Sequence, residues 1–140
     1  MGYNAAYENI VTQVAALLSS IDSIKKVWKG KSSAFRLTKT PMAIIEPPEE
    51  TAYKETTDLF RLEGVFDVYI IIRETEPENW FTEISAITGA VIDAVMANRT
   101  LNKAVKDCWW IFHSPGQITI DNRLFYGGVV RFQETRFYPP

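Results

Sequence analysis

Cys108 and His113 are the only cysteine and the only histidine among the 140 residues. A thiol beside an imidazole is the pairing in this sequence that could supply a nucleophile and its base. Both fall in one strand-like run, Lys106 to His113. At i and i+5 of a regular strand they point to opposite faces, so no shared site is expected. Cys108 then reads as a small core residue and His113 as a strand-end or turn residue. A metal site needs three or four clustered ligands, which one cysteine and one histidine do not provide. Glu46, Glu49, Glu50 and Glu55 lack the spacing of a calcium loop and read as a charged surface segment. No phosphate-cradling glycine motif, nucleophile elbow or H-E-x-x-H sequence occurs. The expectation is therefore no catalytic residue, no cofactor and no metal. Trp109, Trp110, Phe125, Tyr126, Phe132, Phe137 and Tyr138, with Arg123, Arg131 and Arg136, carry two readings: stacking of single-stranded nucleic acid, or core and subunit contact.

The elements that would position these residues are set by periodicity. Leu59 to Arg73, LFRLEGVFDVYIIIR, alternates apolar and polar. Phe60, Leu62, Phe66, Val68, Ile70 and Ile72 share one parity, which predicts a strand with one buried face. Unbroken, it would reach roughly 50 Å, so the expectation is an overhang used to touch neighbours. Ala6, Ile10, Val14, Leu17 and Ile21 predict a helix over about Asn4–Ile24. Val27-Trp28 and MAIIE read as short strands, the second preceded by Pro41 and stopped by Pro47-Pro48. Gly30 to Ser33 reads as a turn between them. The segment Glu46–Asp58 reads as an extended arm or the tip of a long hairpin, with an ordinary surface loop as the alternative. Thr75, Pro77 and Glu78 form a helix-start signal. Trp80, Ile84, Ile87, Val91 and Val95 carry a second helix to about Asn98, with Gly89 packed closely on the sheet. Ser114-Pro115-Gly116 and Asp121-Asn122-Arg123 predict turns between three closing strands, the last broken by Gly127-Gly128. Helices separated by runs of strands give an α+β fold: one mainly antiparallel sheet, two helices on one face, and an extended loop or hairpin arm.

Bulk properties bound the rest. Residues 1–140 make one domain. A lone cysteine excludes an internal disulfide and points to a reducing compartment. No leader pattern and no apolar run of roughly 20 residues is read, so no membrane partner is expected. The net charge of −2 is unevenly spread, with two basic and nine acidic groups over 55–98 and basic flanks. No basic stripe for duplex DNA results. A solvated acidic face or acid–base complementarity between identical subunits accounts for the pattern.

The amphipathic N-terminal helix ending in Val-Trp, the MAIIEPPEE strand, FRLEGVFDVYIIIR, the helix WFTEISAITGAVIDAVMANRTL and the closing LFYGGVVRFQETRFY follow one another in a recognisable order. In this the chain resembles tail terminator proteins of long-tailed bacteriophages and the related minor tail or tail-completion proteins. The resemblance implies a structural virion protein, not an enzyme. It implies a homo-oligomeric ring, usually a hexamer, at the head-proximal end of the tail tube. Such a ring ends tube polymerisation and docks the neck. It implies tail tube and neck or head–tail connector proteins as partners, and genomic DNA passing through the lumen without specific binding. It further implies assembly in the host cytoplasm and residence in the virion tail. A head–tail connector or neck protein, and a small-molecule-binding α+β module, are the alternatives. The residues expected at interfaces are Pro47, Pro48, Glu49, Glu50, Tyr53 and Lys54 in the arm, Arg61, Glu63, Asp67 and Arg73 on the polar face of the long strand, and Arg131 and Arg136 late in the chain.

Overall fold

Helical spacing of Ala6, Ile10, Val14 and Leu18 folds the N-terminus into α1, Tyr3–Ser19, whose buried stripe also takes in Val11 and Ala15. The computed structural model describes residues 2–30, 40–72, 78–120 and 122–140. Arg73, the Thr75–Pro77 part of the helix-start signal, most of the Gly30–Ser33 turn and Asp121 lie outside them. After α1 come β1 (Lys26–Lys29), β2 (Met42–Lys54), β3 (Phe60–Ile72), α2 (Trp80–Met96), β4 (Asp107–Ile120) and β5 (Arg123–Tyr138). The architecture is α+β, with a five-stranded sheet in the order β1-β2-β3-β5-β4. Among the described residues only the β1–β2 pairing is parallel.

The alternation of β3 is realised from Leu62 onward: Leu62, Phe66, Val68, Ile70 and Ile72 are buried, while Phe60, at the end of the strand, is exposed. Phe66, Val68, Ile70 and Ile72 pack with Ala43, Ile45, Val130, Phe132 and the stripes of both helices in one core, so the helices share a face of the sheet. The expected overhang is absent. β3 is central, pairing with β2 from Phe60 to Ile71 and with β5 from Phe60 to Ile72. Its hydrogen-bonding groups are consumed within the chain on both sides.

Of the readings of Glu46–Asp58, the long hairpin is the one found and the extended arm is not. Pro47-Pro48 do not stop β2; they sit in a register shift between Glu46 and Glu49, and the strand resumes to Lys54. A bulge accommodates residues that cannot donate to the ladder. The chain then turns through Glu55–Leu59, where the Glu55 and Thr56 amides donate to the Leu59 carbonyl at 2.9 and 3.1 Å.

The closing hairpin differs from expectation at two points. β4 runs on through Ser114-Pro115-Gly116, because it is an edge strand and Pro115 loses no ladder bond there. β5 runs on through Gly127-Gly128. A Cβ on Gly127 would overlap the carbonyl oxygen of Ile70, so the glycine permits the β3–β5 approach rather than breaking the strand. Gly89, by contrast, has nothing within 4 Å of where its Cβ would sit, so close helix–sheet packing is not its reason. Past α2, Leu101, Asn102 and Lys103 are successive left-handed residues (φ 48, 55 and 68°), a turn that buries Leu101 in the core.

Candidate interaction surface

Sheet order leaves β4 at one rim, and no described strand pairs with its outer side. Its register on β5 slips between Trp110 and Phe112, so Ile111 has no partner and forms a bulge. A bulge rotates the strand locally. Here it turns three successive large apolar side chains outward: Trp110, Ile111 and Phe112 are 41, 43 and 46% exposed. From Cys108 to Ile120 the strand carries no formal charge. The opposite rim, β1, is four residues long and bounded by Lys26 and Lys29. Lysines and short length guard a rim against pairing; an uncharged apolar rim invites contact. The bulge and Pro115 interrupt the ladder, so contact there proceeds through side chains more than through strand addition.

The apolar rim continues onto α2. Phe81, Ser85, Thr88, Gly89 and Ile92 face His113 and Pro115 across a cleft of about 240 Å³. Phe81 is 56% exposed at its mouth. The Trp110 amide donates to the Met96 sulfur at 3.3 Å, and the Trp110 and His113 rings lie 5.2 Å apart. On the other face Arg131 sits 5.6 Å from the Phe112 ring centre.

The bulge also corrects the expected placement of Cys108 and His113. Cys108 pairs with Glu134 and His113 with Val130, positions of equal parity on β5, so both lie on the helix-covered side. Trp110 stands between them on that side. Burial, then the charges of Asp107 and Glu134, push the Cys108 thiol up to about 12, which suits a core thiol and not a nucleophile.

The residues expected at interfaces divide into two groups. Pro47, Glu49, Asp67 and Arg131 line one cavity of about 380 Å³ on the helix-free face. Arg131 donates to both carboxylate oxygens of Asp67, at 2.8 and 3.1 Å. Farther along, Arg61 pairs with Glu55 and with Glu63 (3.2 Å) and lies 4.9 Å from the exposed Tyr53 ring. Lys54 is exposed.

Glu50, Arg136 and Pro48 depart from expectation. The Arg136 and Glu50 side chains are 5 and 4% exposed and joined by two 2.7 Å hydrogen bonds. Pro48 is buried, and its carbonyl accepts the Tyr7 hydroxyl at 2.5 Å. These three are internal, because the N-terminal turn of α1 covers this end of the sheet. Sequence reasoning missed Glu134, Tyr3 and Tyr7 in that cluster and Ile111, Phe112 and Phe81 on the rim, where Trp110 is among the aromatics it reads as core or subunit contact. For Glu134 and Arg136 the signal was present: they share the parity of Val130 and Phe132.

Fold and surface together define a class, a single-sheet α+β protein with one guarded and one apolar rim. No protein-family model matches the chain, and no curated protein matches it. Among the described residues no helix is long and apolar enough to cross a membrane, and no group of three or more His, Cys, Asp or Glu could hold a metal ion.

Proposed function

We propose that this chain is a structural ring subunit of a long-tailed phage. It closes the head-proximal end of the tail tube as a homo-oligomer, with the hexamer as the expected size, and receives the neck. The observation that carries the proposal is the β4 rim, where Trp110, Ile111 and Phe112 stand exposed within Cys108–Ile120, a stretch with no formal charge. Apolar side chains grouped in this way mark protein contacts. The lysine-flanked β1 rim offers the β4 rim no matching surface, so contact of β4 with a different surface of the next copy is heterologous, the kind that closes into a ring when the rotation permits. The Glu49, Asp67 and Arg131 surface adds a charged region suited to fixing register. Genomic DNA would pass through the lumen without specific binding, a reading that the acidic balance of residues 55–98 supports. The order of elements shared with tail terminator proteins supports the same reading.

The test is native mass spectrometry and negative-stain imaging of the purified protein, alone and with tail tube protein. Rings are expected, and Ile111→Lys is expected to dissolve them while leaving the fold intact. A wild-type chain that stays monomeric in every condition overturns the reading. Co-purification with portal or adaptor protein in place of tube protein moves the ring to the neck.

A further inference from the structure

Across the helix-covered face, one row of the sheet reads Glu50 on β2, Gly64 on β3, Glu134 on β5 and Cys108 on β4. Gly64 offers no side chain, and two carboxyl groups lean into the space it leaves. A Cβ there would lie 2.9 Å from Glu50 Cγ and closer still to Glu134 Oε1. Arg136, one row on, donates from Nε and Nη2 to the two Glu50 oxygens at 2.7 Å each. Glu134 is fully buried, and neither of its oxygens receives a donor from the described residues. A buried carboxylate in that position has neither solvent nor a hydrogen bond to stabilise it. A carboxylic acid there needs only an acceptor, and the Glu50 carboxylate is within its reach.

The same cluster holds the start of α1. The Tyr3 hydroxyl donates to Glu50 Oε1 at 3.1 Å, and the Tyr7 hydroxyl to the Pro48 carbonyl. The Tyr3 ring lies 5.0 Å from the Arg136 guanidinium and packs edge-on to Tyr138 at 5.6 Å. We propose that Glu50 and Glu134 hold one proton between them, that this acid–carboxylate pair with Arg136 fastens the first turn of α1 to the sheet, and that removing the proton unfastens it.

The groups facing Glu134 are Glu50 from β2, Arg136 from β5, Cys108 from β4 and Tyr7 from α1, with Gly64 from β3; Tyr3 faces Glu50 and Arg136, and Asp107, next to Cys108, lies on the other face of the sheet. Asp107 is held by Arg99 at 2.7 and 2.8 Å. Burial pushes the Cys108 thiol and both tyrosine hydroxyls up. Burial also works to raise Glu50, but hydrogen bonds from Arg136 and Glu134 hold it below the usual carboxylate range. Glu134 is pushed up to about 9, by burial first and then by Glu50. The folded chain therefore keeps a proton that the unfolded chain has lost. Between an ordinary glutamate pKa of about 4.3 and about 9 the folding constant falls about tenfold per pH unit from this pair, with no further fall above it.

The test is carboxyl carbon NMR of the full chain between pH 4 and 10, with the Tyr3 and Tyr7 ring signals followed alongside. One glutamate is expected to titrate far above the others, and the tyrosine signals to move with the same midpoint. Glu134→Gln, which keeps a neutral donor, is expected to abolish that step and leave both tyrosines still. Glu50→Gln frees Arg136 for Glu134 and is expected to draw the Glu134 titration down by several pH units. The proposal is overturned if every glutamate titrates in the ordinary range, if the tyrosines ignore the high step, or if Glu50→Gln leaves that step in place.

Discussion

Arg136→Met removes the guanidinium and keeps most of its volume, so it measures what the buried pair does for the fold. With side chains 5 and 4% exposed, the Arg136–Glu50 pair has almost no solvent to fall back on. Without Arg136, the Glu50 carboxylate stays buried beside Glu134. Removing one partner of a buried pair costs about 3–5 kcal/mol. An independent bound comes from protonation. Glu50 can escape by taking up a proton, which at pH 7 costs about 1.4 kcal/mol for each of the roughly 2.7 pH units above an ordinary glutamate pKa. That is about 4 kcal/mol, inside the same range. In the wild type, Glu50 is held below the usual range, so its contribution is present above about pH 4.3 and fades as the pH falls. In the variant, the Glu50 pKa is raised, and stability is lost as the pH rises. The difference between the two proteins is therefore largest at neutral pH and small near pH 4. Urea unfolding followed by circular dichroism should show the midpoint of Arg136→Met lowered by about 2 M at pH 7 for an m-value near 2 kcal/mol/M. Adding Glu50→Gln removes the stranded charge and should restore the stability to within about 1–2 kcal/mol of wild type. Wild type and variants are compared at one protein concentration, because assembly shifts the apparent stability of all of them. A single-variant cost below about 1 kcal/mol, or a double variant no better than the single, would refute the internal-pair reasoning.

Gly127→Ala should yield insoluble or unfolded protein, because the new methyl overlaps the Ile70 carbonyl in the central ladder, where neither backbone can yield; soluble expression with native circular dichroism would contradict this. Gly89→Ala should act oppositely, stabilising α2 by about 1 kcal/mol in a thermal melt, since its methyl meets nothing within 4 Å. Cys108 should resist a thiol reagent at pH 8 in the folded chain and react fully in urea, because burial pushes its thiol up to about 12. Rapid labelling of the native protein would count against that.

Much of the fold was legible because a period survives any tertiary detail. The parity of Leu62, Phe66, Val68, Ile70 and Ile72, and the stripe of Ile84, Ile87, Val91 and Val95, are buried as their spacing requires. What failed to read was local. Pro47-Pro48 and Pro115 have the composition of breaks, yet a bulge and an edge position absorb them. The bulge at Ile111 has no compositional marker, and it shifts the parity of the rest of β4. That slip placed Cys108 and His113 on opposite faces in the sequence reading and on one face in the fold. Charges posed the other difficulty. Glu50 lies in a segment with loop-like composition, and its partner Arg136 is 86 residues away, beyond any window over which pattern is judged. Gly64, at a buried parity position between them, was the quiet clue that something other than its own side chain fills that space.

The sheet has a lysine-flanked border at β1 and a neutral aromatic border at β4. A body with two dissimilar borders has a direction, like an arrow. Copies joined by the β4 border to a different surface of the next would all point the same way round, and one inserted reversed would bring like against like. A circlet built so would present one chemistry above and another below, and two objects joined by it would need nothing in common.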